Sequence, residues 1–181
     1  MFPSAFARPL LSASLIQNRV SQLGAQITQD YAQRDLLLVG VLKGAQMFVA
    51  DLARAIRLPV RMDFLVVSHY GQGTEPGGNV RILADLSQDI RGLDVLLVED
   101  IVDSGYTLTY LTRVLLARQP ASLRTCVLLD KVERRKVPVE LDYVGFTIPD
   151  RFVVGYGLDY RERYRNLPHI AVLHTEGTSP A

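Results

Sequence analysis

The chain has 181 residues, 48% hydrophobic and 22% charged, which suits one globular domain spanning 1–181 with a substantial core. Twenty Lys and Arg against nineteen Asp and Glu leave a formal charge of +1, without the basic excess of a general nucleic-acid footprint. Cys126 is the only cysteine, so no intrachain disulfide forms; a reducing, cytoplasmic setting is the simpler expectation, with a buried, inert thiol in "LRTCVLLD".

His69, His169 and His174 show no metal-ligand spacing, and no apolar run reaches the roughly 18–20 residues of a membrane span. The opening "MFPSAFARPLLSASLI" is mildly apolar, but Ser and Pro break it and no cleavage site follows, so it is not read as a signal peptide. Apolar residues at Ile16, Val20, Leu23, Ile27 and Tyr31 predict a helix within Ser12 to Arg34, capped by Ser12 or Ser14. "LLLVGVLKG" reads as a buried strand emptying into a tight loop, and it is taken as the first strand. "AQMFVADLARAIR" returns to helical period through Phe48, Leu52 and Ile56. "VRMDFLVVSHY" is a strand, "GQGTEPGGN" a loop and "VRILADL" the returning strand. "DVLLVED" is a further buried strand, followed by a helix from Tyr106 to Arg118 with Leu108, Leu111 and Leu115 on one face. "SLRTCVLLD" and "LDYVGFTIP" add two strands, and short pieces such as "FVVGYGLDY" and "HIAVLH" close the chain. Strands with continuous apolar character alternate with helices, which predicts an α/β fold with a mostly parallel sheet covered on both faces.

One stretch departs from packing logic. In "DVLLVEDIVDSGYTLTYL" an apolar strand runs into Glu99 and Asp100, with Asp103 three positions on. Adjacent carboxylates repel each other and resist desolvation. In open α/β sheets ligands gather outside the carboxyl ends of strands, where this loop lies. Ser104, Gly105, Tyr106 and Thr107 supply backbone N–H groups, two hydroxyls and a helix N-terminus, all suited to a phosphate. The acids face something else on the same ligand, and vicinal sugar hydroxyls fit: Glu99 and Asp100 on a ribose, its 5′-phosphate on the loop behind. A divalent cation near those hydroxyls relieves the repulsion. Asp103 is then left beside the reaction centre as a base. Alone, Asp-Ser-Gly is ordinary turn chemistry; the whole strand–acid–acid–loop–helix unit is what turns the reading toward a phosphosugar. No Walker or Rossmann glycine motif competes.

That unit resembles the phosphoribosyl-pyrophosphate loop of the type I phosphoribosyltransferases. With "VLKGAQMFVADL", "SHYGQGTE", "LLDKVERRK" and "IPDRFVVGYGLDYRERYR", the set is similar to the bacterial hypoxanthine-guanine members of that family, from about Leu38 to Leu173. The resemblance implies a type I phosphoribosyltransferase fold with a small hood built from the N- and C-terminal segments. It also implies transfer of ribose 5-phosphate from phosphoribosyl pyrophosphate to N9 of a 6-oxopurine, with Mg2+ as cofactor and a homodimer or homotetramer as assembly. Asp103 becomes the acid or base at purine N7, and residues Asp103 through Thr107 the 5′-phosphate site. Lys131 matches the donor to the purine C6 oxygen, Phe152 the aromatic that stacks on the base, and Val153 the residue whose backbone reads the base edge. By themselves these three read as a solvated basic turn and core strand residues. Asp159 matches a carboxylate tied to magnesium alongside Glu99 and Asp100; Arg165 matches a pyrophosphate ligand, with Arg135 as a further candidate. Leu42-Lys43-Gly44 resembles the pyrophosphate loop, which in the family holds a non-proline cis peptide. "SHYGQGTEPGG" matches the loop that closes over substrates, with His69-Tyr70 where the family carries Ser-Tyr; Tyr106 is a second departure, being larger than the usual residue. Two rivals remain at this stage: a nucleic-acid-binding regulator on the same fold, disfavoured by the charge, and a phosphoribosyltransferase for xanthine or a pyrimidine.

Overall fold

The computed structural model describes residues 6–70 and 79–173. The predicted loop "GQGTEPGGN" lies outside the described residues except for Asn79, which opens the next strand, and His174 with the rest of the C-terminus lies outside them too. Three helices form where the periodicity places them. In α1 (Ala13–Asp30) Ile16, Val20, Leu23 and Ile27 form a buried stripe, and Ser12 Oγ caps the start by accepting from Leu15 N at 3.2 Å. Helix α2 (Gln46–Ala55) buries Phe48, Val49 and Leu52, and α3 (Tyr106–Leu116) buries Leu108, Leu111 and Leu115. Each such Leu, Ile or Phe contributes roughly 1.5–3 kcal/mol of burial.

The main sheet has six strands: β2 (Leu36–Leu42), β3 (Arg61–Tyr70), β4 (Asn79–Ala84), β5 (Asp94–Val102), β6 (Ser122–Asp130) and β7 (Tyr143–Thr147). Their order is β4-β3-β2-β5-β6-β7, and every pairing is parallel except β3 with β4. The mostly parallel sheet read from the sequence is therefore present, with β4 as the antiparallel return. Alternate residues of β2 feed two cores. Leu36 and Leu38 pack with α1 and α2, whereas Leu37, Val39 and Val41 pack with α3, which is why the strand reads as an unbroken apolar run. Cys126 lies in the first of these cores, and burial pushes its thiol far above the ordinary range.

A second, three-stranded antiparallel sheet joins an early segment to two late ones in the order β1-β9-β8, from β1 (Phe6–Leu11), β8 (Val153–Val154) and β9 (Ile170–Leu173). It corrects one expectation: the first strand is Phe6–Leu11, not "LLLVGVLKG". Pro9 and the register shifts on either side of it belong to an edge strand, where a missing N–H is tolerated. A six-residue piece interrupted by proline carries no periodic signal of its own.

Candidate active site

From β2 the chain steps to β3 on one side of the sheet; after β4 it crosses back to β5 and steps to β6 and β7 on the other. The order reverses between β2 and β5, where a crevice forms beyond the strand carboxyl ends. Pairing of β2 with β5 ends at Gly40 opposite Val98, so Glu99 to Val102 are held by β6 alone. Just there lies a cavity of about 450 Å³. It is lined from β2 and its loop by Val41 to Gly44, from β5 and α3 by Glu99 to Gly105, Thr107 and Leu108, and from the hood segment by Asp159 and Arg165.

Glu99 and Asp100 lie on β5 as the strand reading of "DVLLVED" placed them, and the strand runs two residues further, to Val102. Glu99 is only 8% exposed, and its Oε2 has no hydrogen-bond partner. Burial first, and then the neighbouring Asp100 charge, hold its carboxyl well above the usual range. Asp100 is pushed up to about 6 by burial, against the pull of its own and Ile101's backbone N–H groups and of Arg165; Asp159 adds to the upward push. The acid pair is thus poised to gain from any cation or hydroxyl donor that enters.

After β5 the chain turns into α3 through Gly105, whose φ of 91° is left-handed and natural only to glycine. No side-chain hydrogen bond caps α3, whose N-terminal residues line the cavity, and a helix N-terminus favours an anion there. Ser104 O accepts from Lys136 N at 2.9 Å and Val137 N at 3.3 Å, which ties the segment after β6 to the back of this loop.

The register Val102 opposite Asp130 brings the next residues, Asp103 and Lys131, together. Lys131 Nζ lies 3.1 Å from Asp103 Oδ1, an ion pair without hydrogen-bond alignment, and 3.8 Å from Asp150. Its side chain is 5% exposed, so the solvated-turn alternative for Lys131 does not hold. Gly44 follows a cis Leu42–Lys43 peptide, as the resemblance implied. A Cβ on Gly44 would overlap Asp100 Oδ2, and one on Gly157 would overlap the Gly44 carbonyl. Arg165 donates to Gly157 O at 2.8 Å and pairs with Asp159 at 2.8 Å; Lys43 pairs with Glu162 at 3.0 Å.

Lys43, Gly44, Glu99, Asp100, Asp103, Ser104, Gly105, Thr107, Asp159 and Arg165 therefore share one cavity, while the remaining candidates stand outside its lining. Phe152 is 49% exposed at the entry to β8, edge-to-face with Tyr160 at 5.8 Å. Val153 has a buried side chain, leaving only its backbone for recognition. Arg135 is ion-paired with Asp130. Tyr106 opens α3, and His69 and Tyr70 end β3, their backbones paired with Val80 and Asn79. The sequence pattern did not single out Asp150, Gly157, Tyr160 or Glu162, though all four lie in the quoted "IPDRFVVGYGLDYRERYR". Among the described residues no three His, Cys, Asp or Glu converge on one point.

An acid pair and an uncapped helix N-terminus meeting at a switch point define a phosphosugar-binding α/β protein. Comparison with known proteins supplies the particulars. The phosphoribosyl transferase domain model matches residues 10–161. The hypoxanthine-guanine phosphoribosyltransferase of Mycobacterium bovis is 53% identical over 179 residues, covering 96% of this chain and 89% of that protein. The hypoxanthine phosphoribosyltransferase of Salmonella typhimurium is 51% identical over 157 residues, covering 86% and 88%. A crystal structure of a hypoxanthine phosphoribosyltransferase from Staphylococcus aureus superposes with a TM-score of 0.92 at 48% identity, covering 97% of this chain and 96% of that one. The chain belongs to the phosphoribosyltransferase family, in its hypoxanthine-guanine branch.

Proposed function

We propose that this chain is a purine salvage enzyme that transfers the 5-phosphoribosyl group of phosphoribosyl pyrophosphate to N9 of hypoxanthine or guanine, giving IMP or GMP and pyrophosphate. The observation that carries this reading is the meeting of the acid pair, the α3 N-terminus, Lys43 and Arg165 in one cavity.

In this scheme Glu99 and Asp100 accept hydrogen bonds from the 2′ and 3′ hydroxyls. The N–H groups of Asp103 to Thr107, with the Ser104 and Thr107 hydroxyls, hold the 5′-phosphate. Lys43, the Gly44 backbone, Arg165 and Arg135 take the pyrophosphate; the last must first leave Asp130. The purine stacks on Phe152, meets the Val153 backbone at its edge, and receives a hydrogen bond from Lys131 at its C6 oxygen. An ammonium offers only donors, so a C6 carbonyl is accepted and an adenine amino group is not. Bond breaking runs ahead of bond making: the electron pair of the C1′–O bond leaves with pyrophosphate, positive charge builds on the ribose, and N9 closes on C1′. The buried carboxylates stand beside that charge, and preorganised charge of this kind needs no rearrangement during the step. Asp103 moves the proton at N7. Glu99, Asp100 and, directly or through water, Asp159 are the residues that would hold magnesium, which when bound would offset the negative charge of the diphosphate; the unpartnered Glu99 Oε2 fits that use. His69 and Tyr70 belong to the segment proposed to close over the substrates, and residues 1–181 form one domain with its hood. The protein works in the cytoplasm as a homodimer or homotetramer, which light scattering after gel filtration checks.

The deciding assay incubates the protein with phosphoribosyl pyrophosphate, magnesium and, separately, hypoxanthine, guanine, xanthine and adenine. Nucleotide is expected from hypoxanthine and guanine and not from adenine. Xanthine shares the C6 oxygen, so its result sets the width of the specificity. Absence of product with every base would overturn the reading.

A further inference from the structure

Tyr156 stands outside every role assigned above, yet its backbone, burial and hydroxyl are all constrained. Its backbone is left-handed, with φ of 49°, an uncommon state for a bulky side chain that persists only where surrounding contacts enforce it. The side chain is buried at 5% exposure, and its hydroxyl donates to Asp51 Oδ2 at 2.6 Å. Asp51 lies on α2 and is itself fixed by Arg54 and, at 3.4 Å, by Gln17 of α1. The Tyr156 backbone N–H donates to Leu167 O at 2.8 Å.

Its neighbour Gly157 is in contact with the pyrophosphate loop. It packs so closely on the Gly44 carbonyl that no side chain fits between them. Gly157 N donates to Arg165 O at 2.9 Å, and the Arg165 guanidinium returns a bond to Gly157 O at 2.8 Å. Helix α2 starts two residues after Gly44, so Asp51 and the loop share one rigid element. The 155–157 turn is thereby gripped from both sides: by α2 through the Tyr156 hydroxyl, and by Arg165 through Gly157.

We propose that Tyr156 and Asp51 form a positioning latch that sets the pyrophosphate subsite, fixing the Lys43-Gly44 loop and Arg165 relative to each other. Neither residue touches substrate; both act through Gly157. The inference rests on the proposed function, since it assigns the loop and Arg165 to pyrophosphate. Its signature is a selective one. Loss of the latch loosens the diphosphate end of the site and leaves the purine end, on Phe152 and Lys131, largely as it was.

The test compares Tyr156→Phe with the parent protein. Tyr156→Phe removes one charge-assisted hydrogen bond and keeps the ring, so KM for phosphoribosyl pyrophosphate should rise about 5- to 50-fold. KM for hypoxanthine at saturating phosphoribosyl pyrophosphate should stay within about twofold. Calorimetric binding of pyrophosphate with magnesium should weaken in step. Asp51→Asn keeps an acceptor for the tyrosine hydroxyl and should recover most of the affinity that Asp51→Ala loses. A lower Tm with unchanged KM for phosphoribosyl pyrophosphate would reduce the contact to a structural one and overturn the latch, as would equal defects in Asp51→Asn and Asp51→Ala. Were the parent inactive on every base yet able to bind pyrophosphate, the assigned reaction would fall while the calorimetric comparison still decided the latch.

Discussion

At the residue scale the cavity is governed by charges placed where packing alone would exclude them. Asp100 carries the clearest consequence. Its carboxyl ionises near 3.8 when unfolded and at about 6 when folded, so between those values the folded protein holds the extra proton. Stability then falls as pH rises through that window and stays lower above it. Without magnesium, Asp100→Asn should stabilise the protein by about 1–3 kcal/mol at pH 7.5 and change little at pH 3.5, as read by thermal melts at the two pH values. Matching pH dependences in the two proteins would contradict this. Lys131 and Asp103 make a second case, 3.1 Å apart. Lys131→Ala removes the proposed donor to the C6 oxygen, and kcat/KM for hypoxanthine should drop about 10- to 100-fold. Asp103→Asn keeps the shape without the proton acceptor and should lower kcat by roughly 10²–10⁴-fold. Full activity at every pH in that variant would remove Asp103 from the proton step.

Among elements, the decisive contacts run between segments that carry little structure of their own. The loop after β2, the carboxyl end of β5 and the 155–157 turn meet through Gly44 and Gly157, neither of which has room for a methyl group. Gly157→Ala adds a Cβ against the backbone carbonyl of Gly44 and does so at φ of 102°, so steric overlap and backbone strain act together. A loss of about 2–4 kcal/mol is expected by urea unfolding, with KM for phosphoribosyl pyrophosphate raised more than KM for the base. Wild-type stability in this variant would mean that the turn and loop are free to separate. The helices matter differently. Between them α1, α2 and α3 cover both faces of the sheet, and α3 also presents its N-terminus to the cavity.

For the whole molecule, Phe6–Leu11 and Ile170–Leu173 come together in one sheet that carries part of the proposed purine site. Phe152 precedes β8, β8 is two residues long, and β9 holds it by pairing with β1 on its far side. Removing residues 1–11 leaves a two-stranded remnant, which is marginal in water. It also strips away Leu11, worth roughly 1.5–3 kcal/mol of burial. Tm should drop by about 3–12 °C, and KM for hypoxanthine should rise more than KM for phosphoribosyl pyrophosphate. The opposite order of effects would separate the hood from purine binding.

What the sequence determined by itself is local. Helical stripes such as Ile16-Val20-Leu23-Ile27, the buried runs of β2 and β5, and the acid–loop–helix unit from Glu99 to Thr107 are each written within a few turns of chain, where periodicity and residue chemistry act directly. The resemblance of several such segments to one family added the outlying candidates Lys131, Phe152, Asp159 and Arg165. The tertiary structure alone decided what depends on distant segments meeting. It carried β5 past Glu99 and Asp100 to Val102, because pairing with β6 continues beyond the acids. It buried Lys131 against Asp103, because parallel register aligns the ends of two strands. It paired β1 with β9 across nearly the full chain, and it brought Tyr156 onto Asp51. Each of these contacts depends on strand order and register, which arise from the packing of the whole core and leave no periodic mark on the residues that make them.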